Sequence, residues 1–464
     1  NIIKNPDSTN GYYTVSNKME YYAKGDALLA KFFSEVLVLA KSDIEVYLGP
    51  TFSPDSIVFV VFHAGLSQDF SYPSFDPTVY DLKSAYIDEK MMLGIENPTA
   101  ILGDEIINGI LLPETQNIIY FDVVEDIIGN PDYGIDDLCD YQYGLTGIFV
   151  FLLGYELGLP EMFQPESGDP GIGYFGLMDH GSNNGRGVIP APPTPWTRIK
   201  AEWSSKIVIN PYDGLDTVII PALDLENQVY QIKIAEDEYF LLENRNNWVD
   251  FETNIDTLRN RHKIYDLQSQ DSLDGHWFDS IMNDEENFIK DNLIEIDPET
   301  QIITGFDHYD YGLPGSGILI WHIKEPSPST YDDGINNNDL DNRHVQIEEA
   351  DGAQDIGKKS LFPIWLFDPS IGTPLDYWFI GNKEYERLNP WKDKMLFNKE
   401  SIPILLIEEL SKNHGSCCPD VISNQLSKDD IQSILFTSGS QGAPKPVCLS
   451  YNNFSQSSLK WKNK

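Results

Sequence analysis

The chain has 464 residues, of which 73 are Asp or Glu and 32 are Lys or Arg, so its formal net charge is −41. A surface this acidic repels the phosphates of nucleic acids and of anionic membranes, and it argues against both as partners. The length predicts two to three domains with a large core. No apolar stretch reaches the ~20 residues that a membrane-spanning helix needs, so we expect no membrane span.

Hydrophobic patterns predict two helices and two strands in the first part of the chain. Apolar side chains recur at helical spacing over residues 26–40. Residues 56–63 (SIVFVVFH) form a continuous run of β-branched and aromatic residues, typical of a strand buried on both faces. Residues 117–123 (NIIYFDV) predict another strand. Residues 144–158 are apolar almost all round, which indicates a buried helix that ends at Leu159-Pro160.

The pattern changes after Trp203. Short β-forming runs at residues 217–220, 239–242 and 317–322 alternate with acidic and Asn-rich loops. This arrangement predicts a second, β-rich region. The pattern changes once more from about Asn382, which indicates a further boundary.

The most informative segment lies between Gly144 and Trp203. It reads GLTGIFVFLLGYELGLPEMF, then GIGYFGLMDHGSNNGRG, then PAPPTPWTRIKAEW. This resembles the active-site region of M6 (immune inhibitor A-like) metalloproteases. In that family a helix with H-E-x-x-H-x-x-G-x-x-(D/H) precedes a glycine-rich turn and a Trp that opens a helix. The frame residues present here are Gly154, Leu157, Gly158, Leu159, Pro160, Gly171, Gly173, Leu177, Met178, Gly181, Ser182 and Trp196.

Four other segments resemble the same family and follow in the family's order. They are residues 62–65 (FHAG), 238–245 (EYFLLENR), 313–322 (LPGSGILIWH) and 345–352 (VQIEEADG). The resemblance therefore extends over about residues 11–382. Several separate motifs in the right order make a chance match improbable.

The resemblance implies an α/β (α+β) fold. Residues 11–210 would form a zincin-like metalloprotease-type domain, with a twisted mixed sheet and a buried active-site helix. Residues 211–385 would form a β-rich domain of the same M6-like region. The resemblance also implies a secreted protein, extracellular or in the cell envelope, although the chain begins at Asn1 and shows no signal peptide.

The residues that perform the chemistry in that family are replaced here. Two His one helical turn apart bind zinc, and the Glu after the first His activates the bound water. Phe151 stands at the first His position, Leu152 at the Glu position and Tyr155 at the second His position. Glu161, at the third-ligand position, is the one group left that can bind metal. Because a catalytic zinc needs three protein ligands, we expect no zinc and no peptide cleavage.

The replacements also suit close packing. Phe151 and Tyr155 would fill the volume of the zinc and the imidazoles, which avoids a polar cavity. Met178, which lies beneath the zinc in the family, would then pack under the two rings. The alternative is a metal site rescued by Glu161 and His180.

An oxygen-rich loop spans residues 332–342 (DDGINNNDLDN). Carboxylate and amide oxygens suit calcium, a hard cation that takes 6–8 oxygen ligands, and the M6 resemblance implies calcium binding. The EF-hand spacing is absent, and a solvated loop rich in turns is the alternative. The candidate calcium ligands are Asp332, Asp333, Asn336, Asn338, Asp339 and Asp341.

The C-terminal segment resembles a second family. Residues 429–453 (DDIQSILFTSGSQGAPKPVCLSYNN) are similar to the phosphate loop of AMP-forming acyl-CoA synthetases, such as o-succinylbenzoate–CoA ligase. Small residues let backbone N–H groups approach ATP phosphates, and Lys445 adds charge. The chain holds no further part of such an enzyme, so we expect residues 400–464 to be a truncated, vestigial fragment that does not bind ATP. The matching loop residues are Thr437, Ser438, Gly439, Ser440, Gly442, Pro444 and Lys445.

The sequence therefore leads to one main hypothesis about function. The chain is a catalytically inactive M6 metallopeptidase-like protein, a pseudoenzyme that binds an unidentified protein or peptide. One alternative is an active M6-type metalloendopeptidase. The other is a fragment of an adenylate-forming CoA ligase, joined to the rest by gene fusion or by misassembly of the sequence.

Overall fold

The computed structural model has a mixed α/β fold that divides into two compact units. The first unit comprises Asn1–Leu159 with Arg186–Val188, and the second comprises Pro160–Gly185 with Ile189–Lys464. The structure describes residues 2–49, 57–69, 80–95, 99–114, 116, 144–184, 187, 189–209, 220, 227–245, 294–296, 303–306, 310, 312–325, 339–358, 369–378, 431–436 and 446–450.

The first unit is built around a long helix, α2 (Asp26–Leu48), which follows the short helix α1 (Met19–Tyr22). The helix predicted over residues 26–40 is confirmed, and it continues for two further turns. Side chains at spacings of three and four residues share one face of a helix, and in α2 this face is the buried one. Its buried residues are Leu29, Ala30, Phe32, Phe33, Ser34, Leu37, Ala40 and Ile44.

A three-stranded sheet lies beside this helix. Its central strand β5 (Gly109–Pro113) pairs parallel with β1 (Val60–His63) and antiparallel with β2 (Ala85–Ile87). Because side chains alternate between the faces of a strand, Leu111 belongs to the core cluster around α2, whereas Ile110 belongs to a second cluster. The other short elements of this unit are β3 (Ala100–Ile101), β4 (Asp104–Glu105) and α3 (Glu89–Met92).

One prediction about β1 is wrong in part. The apolar run at residues 56–63 predicts a strand buried on both faces, but Phe62 is 59% exposed while Val61 and His63 are buried. In the described sheet β1 has a hydrogen-bonded neighbour on one side, β5. A continuous apolar run does not distinguish a central strand from a strand at the edge of a sheet.

The second cluster of the first unit includes the helix α4 (Leu145–Glu156). The helix predicted over residues 144–158 is confirmed with slightly shorter bounds. Gly158 follows its end in a left-handed conformation with φ of +73°, as is common where a helix stops. Gly147, Leu152 and Gly154 are the buried residues of α4. Most of its other residues are half-buried, so the helix is less buried than the sequence predicts.

The second unit contains a five-stranded sheet. Its strands are β6 (Ser205–Ile209), β7 (Gln228–Lys233), β8 (Glu238–Arg245), β11 (Gly317–Lys324) and β12 (Val345–Ile347). They lie in the order β12-β11-β8-β7-β6, and all neighbours are antiparallel except β6 and β7, which are parallel. The strands predicted at residues 239–242 and 317–322 are confirmed as parts of β8 and β11.

The helix α5 (Pro195–Lys200) precedes this sheet and has the expected start signals. The Thr194 hydroxyl accepts a hydrogen bond from the Thr197 N–H at 3.1 Å, and Pro195 occupies the first turn. Two further antiparallel pairs are described, β9 (Ile294–Ile296) with β10 (Ile303–Phe306) and β13 (Ile431–Phe436) with β14 (Pro446–Ser450). None of the described helices has the length and apolar character needed to cross a membrane.

Candidate functional site

The three positions at which the sequence predicts replaced zinc ligands and a replaced catalytic Glu lie on α4. Leu152 is buried and packs in one cluster with Ile110 and Leu112 of β5. Phe151 and Tyr155 are half-buried and belong to the edge of the same cluster. None of these three side chains offers the imidazole, thiolate or carboxylate that binds zinc.

The two aromatic residues on α4 also contact each other. The ring centroids of Phe151 and Tyr155 are 5.2 Å apart with an interplanar angle of 87°. The Tyr155 ring stacks on Tyr86 of β2 at 5.9 Å. Burial, and then a hydrogen bond to the Glu156 carboxylate, raise the pKa of Tyr86. The structure therefore gives these positions a packing role within the first unit.

Met178 and Glu161, which the family resemblance also marks, belong to the second unit. Met178 is buried, and its carbonyl accepts a hydrogen bond from the Met162 N–H at 2.9 Å. Burial raises the pKa of the Glu161 carboxyl group. The loss of zinc, and the packing of Met178 under the two rings, stay predictions.

The glycine-rich turn before Met178 is organised around a buried carboxylate. Oδ2 of Asp179 accepts hydrogen bonds from the N–H groups of Gly171, Ile172 and Gly173 at 2.8, 2.7 and 3.1 Å. Oδ1 of Asp179 accepts the His180 N–H at 2.7 Å and lies 3.0 Å from the Nδ1 atom of His180. His180, the other candidate for a rescued metal site, therefore has one ring nitrogen engaged by its neighbour.

Three carboxylates of the second unit converge after the strand β12. Glu349 and Asp351 lie in the turn that follows this strand, and Asp376 ends the 3-10 helix Pro374–Asp376. Each offers one oxygen atom, and these atoms all lie within 4.8 Å of one another. Among the described residues, no other group of three or more His, Cys, Asp or Glu side chains brings its ligand atoms this close together. We refer to Glu349, Asp351 and Asp376 as the acidic cluster.

Local hydrogen bonds hold the acidic cluster together. The Ala350 N–H donates to the Asp376 carbonyl at 3.1 Å, which joins the two segments. The Thr373 N–H donates to Oδ2 of Asp376 at 2.6 Å, as part of a capping box. Oδ1 of Asp376 is buried and has no hydrogen-bond partner among the described residues. A buried anionic oxygen without a donor is costly.

Glu349 is held by backbone donors of the next turn. Its carboxylate accepts the N–H groups of Asp355 and Ile356 at 2.8 and 3.1 Å. Burial, followed by the charges of Asp355 and Asp351, raises the pKa of Glu349 to about 8. Burial, and then the charges of Glu349 and Asp351, raise the pKa of Asp376 as well. The site thus concentrates negative charge in a poorly solvated place.

Arg343 is the positive group whose charge acts on this region. Its guanidinium donates to the carbonyl of Gly171 at 2.9 Å and to the carbonyl of Ile356. Burial lowers the pKa of Arg343, and the charge of Glu349 opposes that effect. The described hydrogen bonds of Arg343 therefore go to backbone carbonyl oxygens. Neither Glu349 nor Asp376 forms an ion pair with a described Lys, Arg or His.

A second buried charged group in this unit is balanced. Oε2 of Glu243 accepts a hydrogen bond from Arg198 at 2.6 Å, and its Oε1 accepts the Trp321 indole N–H at 3.0 Å. Arg245 binds Asp310 through two hydrogen bonds. Burial would raise the pKa of Glu243, but the charges of Arg245 and Arg198 lower it below its ordinary value. Among the described residues, the acidic cluster has no comparable ion pairs, since neither Glu349 nor Asp376 is paired with a Lys, Arg or His.

Most of the oxygen-rich loop and the whole phosphate-like loop lie outside the described residues. In the loop at residues 332–342, Asp339 and Asp341 are described. Oδ1 of Asp339 accepts the Asp341 N–H at 3.0 Å in an exposed turn. The predicted ligands Asp332, Asp333, Asn336 and Asn338, and the loop residues Thr437, Ser438, Gly439, Ser440, Gly442 and Lys445, are not described. Calcium binding by this loop stays a prediction.

The acidic cluster was not predicted as a site. Glu349 and Asp351 lie in the segment VQIEEADG, which the sequence marks through a family resemblance alone. Glu349 and Asp351 stand three residues and one residue before Gly352, and carboxylates this close to a glycine are a signal for an oxygen-rich turn. Nothing in the sequence around Asp376 predicts a metal ligand, because this residue is distant in sequence and is brought to the cluster by the fold.

Comparison of the chain with the models of known protein families, with curated proteins and with solved structures found no match. The chemistry of the described residues therefore has to support any function.

Proposed function

We propose that the chain is a catalytically inactive M6 metallopeptidase-like protein with a zincin-like first domain, which binds a protein or peptide ligand without cleaving it. The observation that carries this proposal is the placement of Phe151 and Tyr155 one turn apart on α4, with their rings in contact. In an H-E-x-x-H helix these two positions hold the zinc. In this chain the two rings contact each other, and the Tyr155 ring also stacks on Tyr86 of β2.

The position of Leu152 supports the loss of catalysis separately. A general base must reach the zinc-bound water and must offer an unprotonated acceptor atom, which Leu lacks. Leu152 instead packs against Ile110 and Leu112 in an apolar cluster, where an ionised carboxylate would lose its solvation. An active M6-type endopeptidase is thus disfavoured at both the metal and the base.

Metal analysis of the purified full chain tests the proposal. We expect no stoichiometric zinc and no cleavage of denatured protein substrates in the presence of added zinc. Tightly held zinc in the unaltered chain, lost together with peptidase activity on Glu161→Ala, would overturn it.

A gain-of-function variant tests the family resemblance itself. Phe151→His with Tyr155→His restores two imidazoles at the i, i+4 spacing that binds zinc. We expect this double variant to bind one zinc. Phe149→His with Leu153→His is the matched control, because it has the same residue types and spacing on a different part of the helix. Circular dichroism checks that each variant is folded. A folded double variant that binds zinc no better than this control would contradict the zincin-like assignment.

A further inference from the structure

The acidic cluster has the composition of a cation site. All three of its side chains end in carboxylates, and two of them, Glu349 and Asp376, are buried. Three converging charges repel one another strongly in a medium of low dielectric constant. The buried Arg343 is one cation against three carboxylates, and its described hydrogen bonds go to backbone carbonyls. Oδ1 of Asp376, fully buried and without a hydrogen-bond partner among the described residues, is a second and separate observation. A bound cation would satisfy this oxygen and offset the charges.

We propose that Glu349, Asp351 and Asp376 bind one calcium ion, which locks the turn after β12 to the 3-10 helix Pro374–Asp376. Its three ligands are different residues from those predicted in the oxygen-rich loop at residues 332–342, and the proposal does not depend on the proposed loss of peptidase activity.

The ligand atoms decide the class of ion. A set made of carboxylate oxygens alone suits hard cations, whereas zinc sites are generally built with His or Cys. Magnesium keeps several of its waters and uses one or two carboxylates, which needs a more solvated site. Calcium accepts many protein oxygens in flexible geometry, and the half-buried Asp351 leaves a side open for water.

A further carboxylate lies beside the acidic cluster. Asp355 has a buried Oδ1 without a hydrogen-bond partner in the described part of the chain. Its N–H donates to Oε2 of Glu349 at 2.8 Å, and its charge helps to raise the pKa of that group. The alternative to a calcium ion is therefore a cluster neutralised by shared protons. The two alternatives differ in their response to calcium.

Thermal unfolding of the full chain, stripped of metal with a chelator, distinguishes them. We expect calcium to raise the midpoint clearly more than magnesium does at equal ionic strength, because a ligand of the folded state adds RT ln(1 + [L]/Kd) to stability. Terbium, which replaces calcium and is excited through nearby aromatic rings, provides a direct readout. Trp378 is a suitable sensitiser, since its indole N–H donates to the Glu348 carbonyl at 2.8 Å beside the cluster.

Isosteric variants remove one charge each. We expect Asp376→Asn and Glu349→Gln to weaken calcium and terbium binding by at least ~10-fold, because ligand charge sets calcium affinity. Without calcium both variants should be as stable as the unaltered chain or more so, since each relieves repulsion. That combination separates a lost ion site from a lost structural contact. Asp104→Asn, an exposed change of the same kind, is the matched control and should bind calcium normally.

Three outcomes would overturn the proposal. The first is an equal response of the unaltered chain to calcium and magnesium. The second is an unchanged calcium response in folded Asp376→Asn and Glu349→Gln proteins. The third is a response lost in Asp332→Asn with Asp339→Asn but retained in the cluster variants, which would assign the ion to the loop at residues 332–342.

Discussion

Asp310 accepts two hydrogen bonds from the guanidinium of Arg245, at 2.6 Å to Oδ1 and 3.1 Å to Oδ2, and both side chains are buried. Such a two-point contact is the geometry in which an Arg–carboxylate pair is strongest. Arg245 also lies 3.4 Å from both oxygens of Glu243. The pair therefore belongs to a balanced ionic group, unlike the acidic cluster in the same unit.

Asp310→Asn should destabilise the second unit by about 3–5 kcal/mol, because removing one partner leaves a buried charge uncompensated. Urea unfolding followed by tryptophan fluorescence measures the loss. The control is Asp26→Asn, whose carboxylate pairs with Lys83 at 2.8 Å while both side chains are exposed. An exposed pair contributes less than about 1 kcal/mol. Equal losses in the two variants would contradict the role given to the buried group.

Gly173→Ala should be far more damaging than Gly168→Ala. Both glycines have positive φ values, +59° and +74°, so both substitutions carry backbone strain of about 1–2 kcal/mol. A Cβ atom at Gly173 would lie 2.0 Å from the Ile371 carbonyl oxygen, whereas one at Gly168 would meet nothing within 4 Å. The difference between the two midpoints in thermal unfolding therefore measures the steric conflict. Similar midpoints would show that the contact with Ile371 relaxes easily.

Local patterns predicted both long helices and parts of the strands β1, β8 and β11, because the spacing of apolar residues is itself local. The strand predicted at residues 117–123, and all but Ile220 of the one at residues 217–220, lie outside the described residues. The helix over residues 26–40 follows from side chains such as Leu29, Phe33 and Leu37, which are all buried. Its extension to Leu48 was missed, although Ile44 and Leu48 continue the four-residue spacing of core residues. Val46 and Tyr47 are apolar but exposed, and they obscure that pattern. Exposure depends on what packs against a helix, which its own sequence does not specify.

The two candidate sites differ in how far the sequence predicted them. The helix that holds Phe151 and Tyr155 was predicted, because the motif and the hydrophobic run occupy one segment. The acidic cluster was missed, since Asp376 meets Glu349 only after two distant segments are joined by the hydrogen bond from Ala350 to Asp376. No period or spacing in the sequence encodes that meeting.

Leu152→Ala should cost about 2–5 kcal/mol in stability, because it leaves a cavity in the cluster with Ile110 and Leu112. Leu157→Ala, one turn beyond, is a matched control because Leu157 is 56% exposed. The control should change stability by less than about 0.5 kcal/mol. Chemical denaturation of both variants checks the prediction. A small loss at Leu152 would indicate that the position tolerates an open pocket, which would weaken the packing role assigned to α4.

His63 should make the protein less stable at mildly acidic pH. Burial lowers the pKa of His63 below its ordinary 6.5, against the opposing charges of Asp69 and Asp81. The unfolded chain therefore binds the proton more readily, so stability is complete above pH 6.5 and falls as the pH drops below that value. Thermal unfolding at pH 7.5 and pH 5.5 measures the change in midpoint. His63→Gln should show a smaller fall than the unaltered chain, and an equal fall would assign the effect to the carboxylates.

We propose that residues 400–464 descend from an adenylate-forming enzyme and neither bind ATP nor belong to the peptidase-like fold. The strand β13 ends directly before the glycine-rich residues 437–445, and β14 follows them as its antiparallel partner. Lys445 and the backbone N–H groups of such a loop can contact phosphate, but the segment offers no second motif for a nucleobase. Titration calorimetry with MgATP should therefore show no binding heat.

Limited proteolysis should cut between residues 382 and 429 and release a stable N-terminal piece, because two family resemblances meet there. Micromolar ATP affinity that disappears in Lys445→Ala, or a C-terminal segment that resists protease as firmly as the five-stranded sheet, would show that the segment is a working part of the same protein.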